Sequence, residues 1–298
     1  MKKTLPQVRG KYRFDVEIGK MCWFSTGGKA AVVFIPSDLE DLIFFLQNKD
    51  KEIPIFVFGV GSNLLIRDGG FDGVIIRLGS CMNFMEKMSD DTIKVGAGVL
   101  DQNASNFAME NSIGGLEFLS GIPGTVGGGL AMNGGAYGSD FNAIVQRVTG
   151  VTVDGQIIEL SNSEMGFQYR RNSISKDIIF LSCELKGYIC EKHKIIEKMH
   201  HIKNEKSNTQ PVKGFKTGGS TFKNPQGYSA WKLIDEAGCR GLRIGGALVS
   251  ELHCNFFIND GSATASDIEN LIEEVQTRVF KKSGIMLERE IIIIGQKI

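Results

Sequence analysis

Ten of the 25 residues from Gly114 to Gly138, GGLEFLSGIPGTVGGGLAMNGGAYG, are glycine, several times the average usage of about 7%. Glycine inside a helix or central strand costs roughly 0.5–1 kcal/mol relative to alanine, so the run is expected to be neither. Bare backbone lets N–H groups approach a bulky anion, with phosphate the first candidate. Leu116, Phe118, Leu119, Ile122, Val126, Leu130, Met132 and Tyr137 interleave the glycines. A flexible Gly/Ser linker lacks such apolar anchors, so a packed, ligand-facing loop is predicted. A shorter loop, GVGSN, stands at 59–63, and a third, KTGGSTFKNP, at 216–225. A ligand held by backbone amides of two separate loops would be large, such as a dinucleotide. The Rossmann spacing G-x-G-x-x-G lacks its third glycine at 59–64, and no Walker sequence is present.

Several side chains could act on such a ligand, but each has an ordinary reading by itself. Ser220 suits a turn or cap, and Glu290 suits the solvated end of a strand. His253 suits a half-buried histidine. Arg170 and Arg171 are adjacent and, in an extended segment, would point to opposite faces. The six cysteines are spread along the chain with no C-x-x-C pair, which argues against a zinc site or disulfide framework. They are expected to be reduced and mostly buried. The four histidines all lie beyond residue 190.

Elements must hold these groups in place. Leu39, Leu42, Ile43 and Leu46 predict a helix over 37–48, with Ser37 and Glu40 as a capping box. The apolar run at 53–58 predicts a strand buried on both faces, and further strands are expected at 74–78 and 93–99. Residues 101–111 form a candidate helix. Asp154-Gly155, between alternating apolar residues over 148–160, signals a hairpin, and a strand should follow at 178–185. The charged segment 191–210 reads as a surface helix. An amphipathic helix is expected from Ser266, capped by Ser266 and Glu269, and a closing strand at 287–295. Strands, helices and hairpins mix without βαβα alternation, which favours an α+β fold.

Lys plus Arg and Asp plus Glu both total 34 in 298 residues, so the formal net charge is zero. That balance argues against a general nucleic-acid binder. The first residues lack the apolar core of a signal peptide, and no stretch has the length of a membrane helix. A cytoplasmic monomer, free of membrane and nucleic acid, is the expectation.

GVGSNLLIRDGGFDGVIIRL (59–78), GIPGTVGGGLAMNGGAYG (121–138), YRRNS (169–173), KTGGSTFKNP (216–225), VSELHCNFFIN (249–259) and GIMLEREI (284–291) follow one another in this order. Together they resemble the UDP-N-acetylenolpyruvoylglucosamine reductase (MurB) family, over nearly the whole chain from about residue 20. No tyrosine-bearing insertion separates Arg170 from Ser220, as in the shorter, type II form. The resemblance implies a two-part FAD-binding α+β module of the vanillyl-alcohol-oxidase type, followed by a C-terminal α+β substrate-binding domain. The expected boundaries are 1–80, 81–205 and 206–298. It also implies NADPH as reductant and a nucleotide-sugar substrate whose enolpyruvyl ether is reduced in peptidoglycan precursor synthesis. Some relatives of the flavin module attach FAD through histidine; with no histidine before residue 193, noncovalent FAD is expected here.

By the same resemblance, loops 59–63 and 121–138 wrap the pyrophosphate and adenine end of FAD. The implied contacts are Gly59, Val60, Gly61, Ser62, Asn63, Leu64, Gly121, Pro123, Gly124, Gly127, Gly128, Asn133, Gly135, Ala136 and Tyr137. Ser220 is the implied proton donor, and Arg170 and Glu290 stabilise the reacting enolpyruvyl group. A guanidinium suits the carboxylate on which charge develops, because its donors are planar and bidentate. The residues leave Arg171 open as the active arginine; the resemblance selects Arg170. Tyr169, Lys223, Asn224 and His253 are implied substrate contacts, and no metal is expected. The family usually has lysine where Leu252 stands, which leaves the polar contacts near His253 open. Two alternatives remain: another FAD-dependent oxidase or dehydrogenase on this module, and a non-catalytic flavin or nucleotide-sugar binder.

Overall fold

The computed structural model describes residues 5–211 and 214–298. The fold is α+β. It divides into two compact units, one of Met1–Arg13, Val33–Gly59 and Ile75–Glu205, the other of Phe14–Val32, Val60–Val74 and Lys206–Ile298.

The first unit is built on an antiparallel five-stranded sheet. Its order is Ile157–Ser161, Val145–Thr152, Ile178–Lys186, Thr92–Gly96 and Met85–Lys87. The first two strands are the hairpin expected around Asp154-Gly155. Val95, Val148, Cys183 and Leu185 are buried and pack with Ala104 and Ala108 of helix Asp101–Glu110, Phe118, Leu130 and Phe141. Helix Leu39–Asn48 buries Leu42, Phe45 and Leu46. Its Phe45 ring lies 4.6 Å from Phe34, which lies 5.3 Å from Tyr12. The cap falls one residue later than expected: Asp38 accepts from Asp41 N, while the Asp41 carboxylate collects the N–H groups of Arg9, Gly10 and Ser37. Helix Lys192–Thr209 buries Ile195 and Ile202 in an otherwise polar surface.

A four-stranded sheet has the order Lys11–Val16, Ala30–Ile35, Phe71–Ile76, Ile55–Val57. The strand expected to be buried on both faces is thus only Ile55–Val57, half-buried, at the end of its sheet. An end strand has one neighbour to cover it, and the apolar run alone does not reveal this.

The second unit packs helix Ala265–Ser283 through Ile268, Leu271, Ile272, Val275 and Val279 against Phe24, Leu65, Phe222, Ile234 and Phe257. This helix starts earlier than expected. Thr264 and Asp267 form its capping box, and Asp68 accepts from Ala265 N, Ser266 N and the Ser266 hydroxyl. Glu269, expected in the cap, instead takes a bidentate pair of bonds from Arg67, at 3.0 and 2.8 Å. A three-stranded sheet, Arg243–Ile244, Ala247–Val249 and Phe257–Asn259, lies in the same unit. The closing strand is Ile292–Ile294, parallel to Leu64–Ile66. Among the described residues no helix is long and apolar enough to cross a membrane.

Candidate active site

The loop at 59–63 begins in the first unit, where a Cβ on Gly59 would stand 2.6 Å from the Thr125 hydroxyl. This places Gly59 against the N-cap of helix Val126–Met132. The rest of the loop lies in the second unit. Gly61 has φ +68, a conformation that costs glycine nothing. Among the described residues the N–H groups of Val60, Gly61, Ser62 and Asn63 donate to no protein acceptor. Successive free N–H groups around a left-handed residue form an anion-binding nest. The loop is held from its other side: Trp23 N donates to Gly61 O at 3.0 Å and Ile292 N to Asn63 O at 3.0 Å. Leu64 begins a buried strand.

The glycine-rich run folds differently from expectation. It contains a helix, Val126–Met132, with three consecutive glycines. Packing overrides propensity here. A Cβ on Gly129 would lie 2.2 Å from the Phe141 ring, and one on Gly127 3.0 Å from Ala97 Cβ. A Cβ on Gly121 would stand 2.5 Å from the Tyr137 ring, one on Gly124 2.7 Å from Asp101 Oδ2, and one on Gly135 2.6 Å from Asp140 Cβ. The first N–H groups of this helix are already used: Val126 N donates to Val99 O, Gly127 N to Ala97 O and Gly128 N to Thr125 Oγ1. Gly128 has only that hydroxyl near its Cβ position, at 3.5 Å, and Gly138 has nothing within 4 Å. The Tyr137 hydroxyl is buried without a hydrogen-bond partner among the described residues, and burial raises its pKa. Pro123 and Ala136 lie on the same run, partly exposed.

Arg170 and Arg171 occupy a tight turn rather than an extended strand. Gln168 and Arg171 bond each other's backbone at 2.9 and 3.2 Å, and Arg170 has φ +55. Their side chains therefore part by turn geometry, not by strand alternation. Arg170 donates from Nη2 to Gly135 O at 2.8 Å, with its guanidinium 5.2 Å from the Tyr169 ring centre. Arg171 is exposed and donates from Nε to Gln168 Oε1 at 2.8 Å. Tyr169 is exposed.

In the second unit the structure brings Ser220 and Glu290 together. Ser220 bridges Phe256, Thr221 N donates to Asn255 O, and Glu290 N donates to Thr221 O at 2.8 Å. Asn63 Nδ2 in turn donates to Glu290 O at 3.1 Å. The short loop, Glu290 and the Ser220 segment thus form one hydrogen-bonded assembly. A Cβ on Gly218 would meet the Phe24 ring at 2.3 Å, while Gly219, at φ +78, has open space beside it. Lys223 is ion-paired with Glu288, and Asn224 Oδ1 accepts from Ala230 N at 2.9 Å, at the start of helix Ala230–Glu236. The His253 ring stands 4.9 Å from Phe256 and 6.2 Å from Trp231, and burial lowers its pKa.

Two features escape the sequence reading. Asn255 binds both backbone groups of Phe222, at 3.0 and 2.8 Å, and so splints the Ser220 segment. Asn259 holds Phe24 O, Gly261 N and Ala263 N. Two asparagines four apart in the apolar stretch NFFIN were the available signal, since buried amides need partners. The hydroxyls of Thr217 and Thr221, on either side of Ser220, are buried without a partner among the described residues. The second feature is Thr26-Gly27-Gly28: Gly27 would clash with Ile66 O at 2.0 Å and Gly28 with Asp68 O at 2.4 Å if either carried a Cβ.

FAD fits these residues on two observations: four adjacent N–H groups without acceptors suit a pyrophosphate, and the orphaned hydroxyls suit a polar ligand. Residues 30–161 match a family described as "FAD binding domain". The chain is therefore a flavoprotein of the FAD-binding class. Residues 210–294 match "UDP-N-acetylenolpyruvoylglucosamine reductase, C-terminal domain", and the chain belongs to the UDP-N-acetylenolpyruvoylglucosamine reductase (MurB) family. It is 47% identical to the enzyme of that name from Rickettsia akari, over 98% of both chains. Against that from Rickettsia conorii it is 48% identical, again over 98% of both. The MurB crystal structure from Thermus caldophilus superposes with a TM-score of 0.83 at 31% identity, covering 96% of this chain and 99% of that one.

Proposed function

We propose that this protein reduces the enolpyruvyl ether of UDP-N-acetylglucosamine-enolpyruvate to UDP-N-acetylmuramate, using FAD and NADPH. Bound FAD would supply hydride-transfer chemistry between NADPH and the terminal enolpyruvyl carbon. Loop 59–63, with its Val60–Asn63 nest, and the run 121–138 would together hold the pyrophosphate and adenine end of FAD. Arg170 offers its guanidinium to the substrate carboxylate as enolate charge develops there. Removing one preorganised donor of this kind commonly costs about 10²–10³ in rate. Glu290 assists at the same group. Ser220 gives its hydroxyl proton to the ether-bearing carbon. A serine hydroxyl is a very weak acid, and the enolate is basic enough to take that proton. Tyr169, Lys223, Asn224 and His253 contact the substrate.

The single observation that carries this reading is the hydrogen-bonded assembly of Asn63, Glu290 and Thr221, next to Ser220. Through backbone groups it ties the loop that carries the anion nest to the segments that carry Glu290 and Ser220. The division into 1–80, 81–205 and 206–298 is our functional partition, supported at its last edge by the C-terminal family match from residue 210. FAD is held noncovalently, so acid or heat should release it whole; a yellow peptide surviving digestion would count against this. The enzyme acts as a cytoplasmic monomer.

Purified protein should absorb near 450 nm and consume NADPH only when the enolpyruvyl nucleotide sugar is added. Ser220→Ala should leave flavin reduction by NADPH almost intact and slow flavin reoxidation by substrate at least about hundredfold. Equal slowing of both half-reactions would contradict a proton-donor role.

A further inference from the structure

Asn133 was expected among the FAD contacts; in the structure its carboxamide is engaged by protein groups. The residue is 2% exposed and ends helix Val126–Met132 in a left-handed conformation, φ 42. Its Nδ2 donates to Gln168 O at 2.9 Å and to Asp140 Oδ2 at 3.1 Å, and its Oδ1 accepts from Asn142 N at 2.9 Å. Both amide hydrogens and the oxygen are thereby engaged inside the protein.

Gln168 opens the turn that carries Arg170. On the far side of that turn, Asn172 Nδ2 donates to Leu130 O at 2.9 Å and to Ala131 O at 3.2 Å. Its own oxygen accepts from Ile174 N. Both carbonyls belong to the last turn of helix Val126–Met132. Two asparagine amides thus pin both ends of a four-residue turn to one helix terminus, and Arg170 Nη2 adds a third tie at Gly135 O. Between the pins Arg170 has φ +55, a backbone region that a bulky side chain occupies only when its surroundings enforce it. Such outliers gather at functional sites because the strain fixes a group before its ligand arrives. Arg171, in the same turn, spends its guanidinium on Gln168 and faces solvent.

We propose that Asn133 and Asn172 are positioning residues for Arg170, the pair that holds its guanidinium in place for the substrate carboxylate. This rests on the reaction proposed above. Asn133 acts through the turn and not on the cofactor, whereas Gly135, between the helix and Tyr137, is the carbonyl that orients the arginine.

The test uses flavin-loaded Asn133→Gly, which keeps the left-handed backbone and removes only the carboxamide, together with Asn172→Ala. Flavin content and the rate of flavin reduction by NADPH should stay within about twofold of the parent. Reoxidation by the enolpyruvyl nucleotide sugar should slow at least tenfold in each variant. Trypsin cleavage after Arg170 and Arg171 should accelerate at least tenfold, since the turn has lost an anchor. Lost flavin with parental reoxidation per bound flavin would make Asn133 a cofactor contact and overturn the proposal. Equal slowing of both half-reactions, or no slowing, would also overturn it. If the parent itself fails to turn over this substrate, the reaction is wrong; unchanged trypsin cleavage then refutes the pinned turn independently. Should Asn133→Gly not fold, Asn172→Ala carries the same readings.

Discussion

In the loop at 59–63, four successive N–H groups from Val60 to Asn63 have no protein acceptor among the described residues. In the run at 114–138, the first N–H groups of helix Val126–Met132 go to Val99 O, Ala97 O and Thr125 Oγ1. The two regions look alike in sequence, yet glycine serves different ends in them. In the short loop it allows a backbone shape that leaves donors open. In the long run it removes side chains that would strike Phe141, Ala97, Tyr137, Asp101 and Asp140. A glycine count thus marks close approach without telling whether a ligand or the protein's own core does the approaching.

The largest effect should come from the open loop. Gly61→Val forces a β-branched residue to φ +68. The cost, about 1–3 kcal/mol, should appear as roughly tenfold to hundredfold weaker FAD binding, read from flavin absorbance after dialysis. Full flavin retention would erase the contrast between the loops.

The next effect belongs to the packed run. Gly129→Ala drives a methyl into the Phe141 ring and should destabilise the fold by about 1–3 kcal/mol, seen as a lower urea midpoint. Gly128→Ala, whose Cβ would meet the Thr125 hydroxyl at an ordinary 3.5 Å, should instead stabilise by about 0.5–1 kcal/mol. If Gly128→Ala weakens FAD binding while raising apoprotein stability, that one glycine faces the cofactor, and the contrast sharpens to a single residue.

The smallest effect concerns the carboxyl beneath the run. Both oxygens of Asp101 and the Ser105 hydroxyl are buried without partners among the described residues, and burial pushes the Asp101 carboxyl well above the usual range. A raised carboxyl favours the folded state in its neutral form. That contribution is full below the unfolded value, about 3.9, and is lost as pH rises through the folded value. Asp101→Asn should therefore raise the melting temperature more at pH 8 than at pH 5. Equal shifts at both would show that the carboxyl does not titrate differently on folding.

Much of the architecture was legible beforehand. The hairpin around Asp154-Gly155, helix Asp101–Glu110 and the apolar face of helix Ala265–Ser283 follow from turn chemistry and periodicity, which are local. Caps were legible only in kind: Thr264 and Asp267 displaced Ser266 and Glu269, because Arg67, about two hundred residues away in the chain, claimed Glu269. The helix within the glycine run ran against propensity, since Phe141 and Ala97 leave no room for anything larger.

The sequence by itself determined the family, the residue types available for chemistry and the order in which they occur. These are carried by motifs readable one segment at a time. Tertiary structure alone decided which glycines leave donors open, that Asn63 joins Glu290 to the Ser220 segment, and that Asn133 faces inward. The reason is that a hydrogen bond is settled by which partners the fold brings within about 3 Å, and these partners lie as far as 227 residues apart in the chain.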